Sequence, residues 1–306
     1  MVYDCCNRKD DMPSIQANIA RWILKLQRYN EVRGTIEQQR LKQEKATRIF
    51  KLARDVEVKP VNINGLSAAW FSGPDPINGV VLYLHGGAYA LGSIRSYQEY
   101  LGRLASATRA QILAVNYRLA PEDPFPAALE DALFAYRWLL SRVSGSDLIA
   151  IAGDSAGGGL ALATVLALRD AGDPLPACVV CVSPWVDLTL SSKSIQSKVA
   201  VDPILNPCFL DRYAGYYAGE YARDHDRISP IFGSFEGLPP LLIHGGSDEI
   251  LYDEALWLAE KAQNAGVVVQ LKIWEGLFHV FPIIPFLPES RESLDQIAAF
   301  IATHSV

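Results

Sequence analysis

A serine stands between two glycines where an apolar strand runs into a helix, and few backbones accommodate that arrangement. Leu148-Ile149-Ala150-Ile151-Ala152 is short, apolar and bounded by polar residues, as a buried parallel strand should be. The run from Leu160 to Leu168 is rich in good helix formers. Between them lies Gly153-Asp154-Ser155-Ala156-Gly157. A turn this sharp holds the serine in a strained conformation with its hydroxyl presented outward. The glycines are needed because a side chain two positions away on either side would collide with neighbouring backbone. The helix then aims its N-terminal amides at any negative charge that develops beside the serine. The five-residue pattern by itself also fits an ordinary glycine-rich turn, so its neighbours in the chain decide.

Upstream, the apolar strand Val80-Val81-Leu82-Tyr83-Leu84 ends in His85-Gly86-Gly87-Ala88-Tyr89. Successive glycines leave backbone N–H groups unobstructed, which is what a site for an oxyanion requires. Downstream, Asp248 and Glu249 follow the apolar strand Leu241-Leu242-Ile243, and His279 lies in a loop after the strand Val267–Trp274. Serine, acid and histidine thus occur in that order, each at the end of a strand, as the parts of a nucleophilic triad do.

These pieces resemble the bacterial hormone-sensitive-lipase-like group of α/β-hydrolase carboxylesterases, also called family IV. The resemblance rests on His85-Gly86-Gly87, Tyr117-Arg118-Leu119-Ala120-Pro121-Glu122, Phe125-Pro126-Ala127-Ala128, Gly153–Gly158, Ser183-Pro184-Trp185, Glu249–Asp253 and Gly276-Leu277-Phe278-His279, spread over roughly residues 80–285. It implies an α/β-hydrolase fold: a mostly parallel sheet of about eight strands with helices on both faces and a helical cap. It implies Ser155 as nucleophile, His279 as base, and the amides of Gly86, Gly87 and Ala156 as oxyanion donors. Many relatives carry a third glycine where this chain has Ala88. For the acid, the family's register favours Glu249, since Glu249, Leu251 and Asp253 fit without a gap. Aspartate is the commoner residue in that role, which keeps Asp248 as the alternative. The resemblance implies no cofactor, and it admits a homodimer.

Composition sets limits on the partners. A net charge of −6 and the absence of a basic run argue against nucleic-acid binding. The charged start (Asp4, Arg8, Lys9, Asp10, Asp11) has no signal-peptide core. No apolar stretch approaches the ~20 residues needed to span a bilayer, so a cytoplasmic protein without a membrane anchor is expected. The five cysteines (Cys5, Cys6, Cys178, Cys181, Cys208) are odd in number and fit a reducing compartment. Cys178 and Cys181 sit within one apolar strand and read as small hydrophobes rather than a redox pair. No two histidines or cysteines share ligand spacing on one element, so no metal site is expected.

The chain divides into residues 1–55, an N-terminal helical cap segment, and 56–306, the catalytic domain, within which 186–238 is expected to contribute to the cap. Ile15, Ile19, Trp22, Ile23 and Leu26 share helical spacing, with Arg21, Lys25 and Arg28 opposite. Thr35 and Gln38 form a capping box opening a charged helix to about Arg54. Asn64-Gly65 marks a hairpin, after which strands and helices alternate as a parallel sheet demands. The stretch 186–238 breaks that alternation. In it, Asn206-Pro207 starts a helix bearing Phe209, Tyr213, Tyr216 and Tyr217 on one face.

Of the other histidines, His85 is expected to shape the glycine loop and His244, on another strand end, is the rival base. His225 and His304 read as solvent-exposed. The expected chemistry is hydrolysis of short- to medium-chain acyl esters, since the cap segments are rich in aromatics and show no long exposed apolar lid. A lactone or amide hydrolase would use the same residues. A non-catalytic ligand-binding relative of the fold would lack the histidine.

Overall fold

The computed structural model describes residues 12–28 and 34–305. The charged N-terminal stretch, Cys5 and Cys6 lie outside them. The elements, in order, are α1 (Ile15–Arg28), α2 (Ile36–Thr47), β1 (Glu57–Ile63), β2 (Leu66–Ser72), β3 (Asn78–Leu84), α3 (Ile94–Thr108), β4 (Ala110–Val115), α4 (Ala127–Leu140), β5 (Ile149–Asp154), α5 (Ala156–Ala171), β6 (Cys178–Val182), α6 (Ser194–Ser197), α7 (Pro207–Ala218), β7 (Leu241–Gly246), α8 (Tyr252–Asn264), β8 (Val269–Trp274) and α9 (Pro288–His304). The eight strands form one sheet in the order β1-β2-β4-β3-β5-β6-β7-β8. The β1–β2 hairpin turns at Asn64-Gly65, with Ile63 opposite Leu66, and β2 pairs antiparallel with β4. Every pairing from β4 through β8 is parallel.

Alternation along each strand distributes side chains to two buried layers. Leu82, Leu84, Ile149, Ile151, Val179, Cys181, Leu241 and Ile243 join α4, α5 and α8 on one face. Val81, Tyr83, Ala150, Ala152, Cys178, Val180 and Leu242 join α3 and α9 on the other. Cys178 and Cys181 therefore point into opposite layers, and burial raises both thiols, Cys178 to about 12. Thiols so far from ionising are inert packing groups.

Because β3 and β5 pair in parallel, the glycine loop after β3 and the serine turn after β5 emerge side by side. The strands β6, β7 and β8 continue in register beyond them. All these loops leave the carboxyl ends of the strands, the edge where open α/β sheets bind ligands.

Two helices depart from their sequence patterns. The capping box at Thr35 and Gln38 is present, but α2 ends at Thr47 rather than near Arg54. The Thr47 hydroxyl bonds the Gln43 and Glu44 carbonyls, and the chain then unwinds so that Leu52 and Val56 reach Gly102 on α3. In α1 the apolar stripe faces outward: Ile15, Ile19, Trp22, Ile23 and Leu26 are all exposed, Trp22 at 64%. Ala17 and Ala20 pack inward instead, against Trp274, Leu277 and Phe278. Small residues let the helix approach closely, and Arg21 on that face bonds the Gly276 carbonyl and Asp248. On α7, Asn206 caps the Phe209 amide and Tyr213 and Tyr217 are buried, while Phe209 is half-buried and Tyr216 exposed.

Candidate active site

Ser155 occupies the sharp turn between β5 and α5 with φ +52° and ψ −122°, a conformation L-residues rarely adopt. A side chain at Gly157 would run into the Leu84 and His85 carbonyls, and one at Gly153 into the Gly157 carbonyl. The turn therefore exists only with glycine at both positions. Ser155 is 8% exposed, and its Oγ lies 2.9 Å from Nε2 of His279.

His279 is 5% exposed, in the loop after β8. Its Nδ1 lies 2.7 Å from Oε2 of Glu249, which is fully buried in the loop after β7. The second oxygen of Glu249 accepts the Gly246 amide at 2.7 Å. Nδ1–H therefore donates to the carboxylate, which leaves Nε2 as an acceptor facing the serine hydroxyl. Asp248 turns away: its amide bonds the Leu277 carbonyl and its carboxylate pairs with Arg21 at 3.1 Å. The histidine loop is fixed by Ser183, whose Oγ accepts the Val280 amide at 3.1 Å. Both of these residues sit at positive φ. The loop after β7 is fixed by Asp202, which accepts the Ile250 amide at 2.9 Å.

The glycine loop departs from expectation at one donor. The Gly86 amide, expected among the oxyanion donors, bonds Oδ1 of Asp154 at 2.9 Å and is thus engaged within the protein. Asp154 also accepts the Tyr83 and Tyr97 hydroxyls, at 2.6 and 2.7 Å. Burial pushes its carboxyl above the usual range, against the pull of these three bonds. The amides of Gly87, Ala88 and Ala156 carry no protein hydrogen bond among the described residues. Ala156 opens α5, whose N-terminal dipole adds to its donor strength. Asp154 and Ala88 were missed at the level of sequence, although the aspartate stood inside the serine motif.

Two peptide units aim the free amides. A peptide is planar and trans, so fixing its carbonyl fixes the N–H on the opposite side. The Gly86 carbonyl, in one unit with the Gly87 N–H, accepts Nδ1–H of His85 at 2.8 Å. The Gly87 carbonyl, in one unit with the Ala88 N–H, accepts the amides of Ala90 and Leu91. His85 thus shapes the loop as expected. It is stacked on Tyr117 at 4.4 Å, and burial lowers it to about 4.

The remaining histidines lie apart. His244 bonds Ser293 at 2.9 Å and is buried near Trp274, away from Ser155. His225 is exposed, but His304 is half-buried, with Nδ1 bonded to the Phe300 carbonyl one turn back on α9. Among the described residues, no three His, Cys, Asp or Glu side chains cluster as metal ligands. No helix among the described residues is long and apolar enough to cross a membrane.

A family model described as the alpha/beta hydrolase fold matches residues 81–283. The chain belongs to the α/β-hydrolase family. Its place in that family is among the bacterial hormone-sensitive-lipase esterases. A crystal structure described as an esterase from that family matches it with a TM-score of 0.93 and 36% identity, over 96% of this chain and all of the other. The acetyl-hydrolase of Streptomyces hygroscopicus is 39% identical over 95% of this α/β-hydrolase and 98% of its own length. An esterase of Acinetobacter venetianus is 34% identical over 83% of this chain and 84% of its own.

Proposed function

We propose that the protein is a serine carboxylesterase that hydrolyses short- to medium-chain acyl esters through an acyl-enzyme on Ser155. The observation that carries this reading is the unbroken hydrogen-bonded line from Glu249 through His279 to Ser155 beside three unengaged amides. In the mechanism, His279 Nε2 takes the hydroxyl proton as Ser155 Oγ attacks the ester carbonyl carbon. The carbonyl oxygen becomes an oxyanion held by the amides of Gly87, Ala88 and Ala156; Gly86 is not among its donors. Glu249 stabilises the imidazolium. Collapse expels the alcohol, which takes the proton from His279 and leaves the acyl group on Ser155. His279 then deprotonates a water that attacks the acyl carbonyl. The second collapse releases the acid and restores the serine.

The preference for short chains has specific support. Tyr89, which follows the oxyanion loop, stacks on Tyr217 of α7 at 3.6 Å and lies 6.2 Å from Trp185. The Trp185 amide bonds the Ser155 carbonyl at 3.0 Å, so this buried aromatic cluster is anchored to the turn that carries the nucleophile. The curated relative from Streptomyces hygroscopicus is named for acetyl hydrolysis. The exposed stripe on α1 removes the other argument, an absence of outward apolar surface. On this reading residues up to 55 and 186–238 form a cap that excludes water from the site, and 56–306 form the catalytic domain.

A rate profile across acyl lengths, lactones and anilides tests the assignment. kcat/KM should be highest for acetyl to hexanoyl esters and fall steeply beyond. A maximum at long-chain esters, or on lactones or anilides, contradicts it.

A further inference from the structure

The helix α2 has no fully buried side chain, yet it holds the loop that carries the oxyanion donors. Arg40, Gln43 and Glu44 lie three and four residues apart and so share one face. Nε of Arg40 donates to the Ala90 carbonyl at 2.8 Å, and Nη2 donates to the Ala120 carbonyl at 3.0 Å. Glu122 grips the same guanidinium with both oxygens, at 2.9 and 2.8 Å. One turn along α2, Oε1 of Gln43 accepts the Gly92 amide at 2.9 Å. Two points of the turn from Gly87 to Gly92 are therefore bonded to a segment some fifty residues away in sequence.

The Ala90 end bears directly on a donor. Ala90 N–H bonds the Gly87 carbonyl at 3.1 Å, and that carbonyl shares a planar unit with the Ala88 N–H. The Ala120 carbonyl also held by Arg40 belongs to a residue whose amide bonds the Tyr89 carbonyl at 2.9 Å. Arg40 thus ties both sides of the turn that aims the Ala88 amide. We propose that Arg40 is a positioning residue for oxyanion stabilisation, which makes α2 part of the catalytic scaffold as well as a cover. This rests on the reading that the Gly87 and Ala88 amides bind the oxyanion. Glu122 neutralises the guanidinium, so the effect is geometric: a rigid planar fork meets two carbonyls and a carboxylate, and a lysine cannot reproduce it. A donor displaced by a fraction of an ångström loses most of its value at the transition state while leaving ground-state binding intact.

The test compares wild type with Arg40→Lys, Arg40→Met and Gln43→Leu, each first shown to keep the wild-type circular dichroism spectrum. Two quantities are read: steady-state kinetics on a short ester, and inhibition by a short alkyl trifluoromethyl ketone, which forms an oxyanionic hemiketal on Ser155. Both Arg40 variants should lose roughly tenfold in kcat with KM within about threefold, and the inhibition constant should rise by the same factor. Gln43→Leu should move in the same direction by less, and it carries the test alone if the Arg40 variants fail to fold. Rescue by lysine would show that charge matters and would overturn the geometric role. Loss confined to KM, or inhibition unchanged in the variants, overturns the inference and leaves the proposed function standing. If the wild type forms no hemiketal on Ser155, the proposed function itself fails, and this inference with it.

Discussion

Oε2 of Glu249 lies 2.7 Å from Nδ1 of His279, and the other oxygen of the same carboxylate is held by the Gly246 amide. The acid is thereby fixed at both ends, with no exposed surface. In the proposed mechanism a carboxylate so held selects one tautomer of the histidine and stabilises its positive charge during proton transfer. Its neighbour Asp248 is part-exposed and serves a different contact, the docking of Arg21 on α1.

Replacement of each acid by its amide should separate these roles. Glu249→Gln should lower kcat by about 10³–10⁴, as loss of the acid does in serine hydrolases. Asp248→Asn should stay within about threefold of wild type and lose at most about 1 kcal/mol of stability, the usual worth of a part-exposed ion pair. Steady-state kinetics and urea denaturation of both variants check this. A crippled Asp248→Asn beside an active Glu249→Gln contradicts the assignment.

Ala88 holds its amide in a left-handed conformation, φ +54°. The strain costs an L-residue about 1–2 kcal/mol, and glycine's extra freedom in the unfolded chain offsets about 0.5–1 kcal/mol of any relief. Ala88→Gly should therefore be equal or slightly higher in stability and retain turnover within about threefold. Replacing Ala88 by its α-hydroxy acid removes the N–H, weakens the Gly87 carbonyl as an acceptor for the Ala90 and Leu91 amides, and should cost about 10²–10³ in kcat. Full activity in that ester-backbone enzyme would remove Ala88 from the oxyanion site.

Two buried histidines make the fold sensitive to acid. Burial lowers His85 to about 4 and His244 to about 3, whereas an unfolded histidine titrates near ~6.5. Below that value the unfolded chain binds protons that the folded one does not. The stabilising contribution is full above about pH 6.5 and is lost as pH falls toward 4, at about 1.4 kcal/mol per unit for each residue. The buried carboxyls of Asp154, Asp202 and Glu254 are raised and act in the opposite sense, so a variant comparison isolates the histidine. His244→Gln should shrink the stability difference between pH 6.5 and pH 5 by about 2 kcal/mol in urea denaturation. An unchanged difference contradicts a neutral buried His244.

Much of the site was legible because its chemistry demands particular residues at strand ends. Glycine at 153 and 157 is compulsory at the serine turn, and the family's register with Leu251 and Asp253 favours Glu249 over its neighbour Asp248. The direction of an amide is not written in residue type. The diversion of the Gly86 N–H to Asp154 depends on Tyr83 and Tyr97 closing around that carboxylate from distant segments. The orientation of α1 was equally hidden. Its pattern identifies an apolar stripe, but Ala17 and Ala20 allow close packing and Arg21 finds part-buried acceptors, so the polar-and-small face docks. Contacts such as Arg40 with Ala90 and Ser183 with Val280 join residues 50 and 97 positions apart, beyond the reach of any local pattern.

Acylation of Ser155 underlies every step of the proposed mechanism. Its most direct test is the intact mass of the enzyme after reaction with a serine-directed alkyl phosphonate, followed by mapping of the modified peptide. One adduct per chain is expected, located on Ser155, with parallel loss of ester hydrolysis. Ser155→Ala should take up no adduct, remain folded and lose about 10⁴–10⁶ in turnover. A Ser155→Ala protein that is still labelled, or that still hydrolyses esters at the wild-type rate, would contradict it.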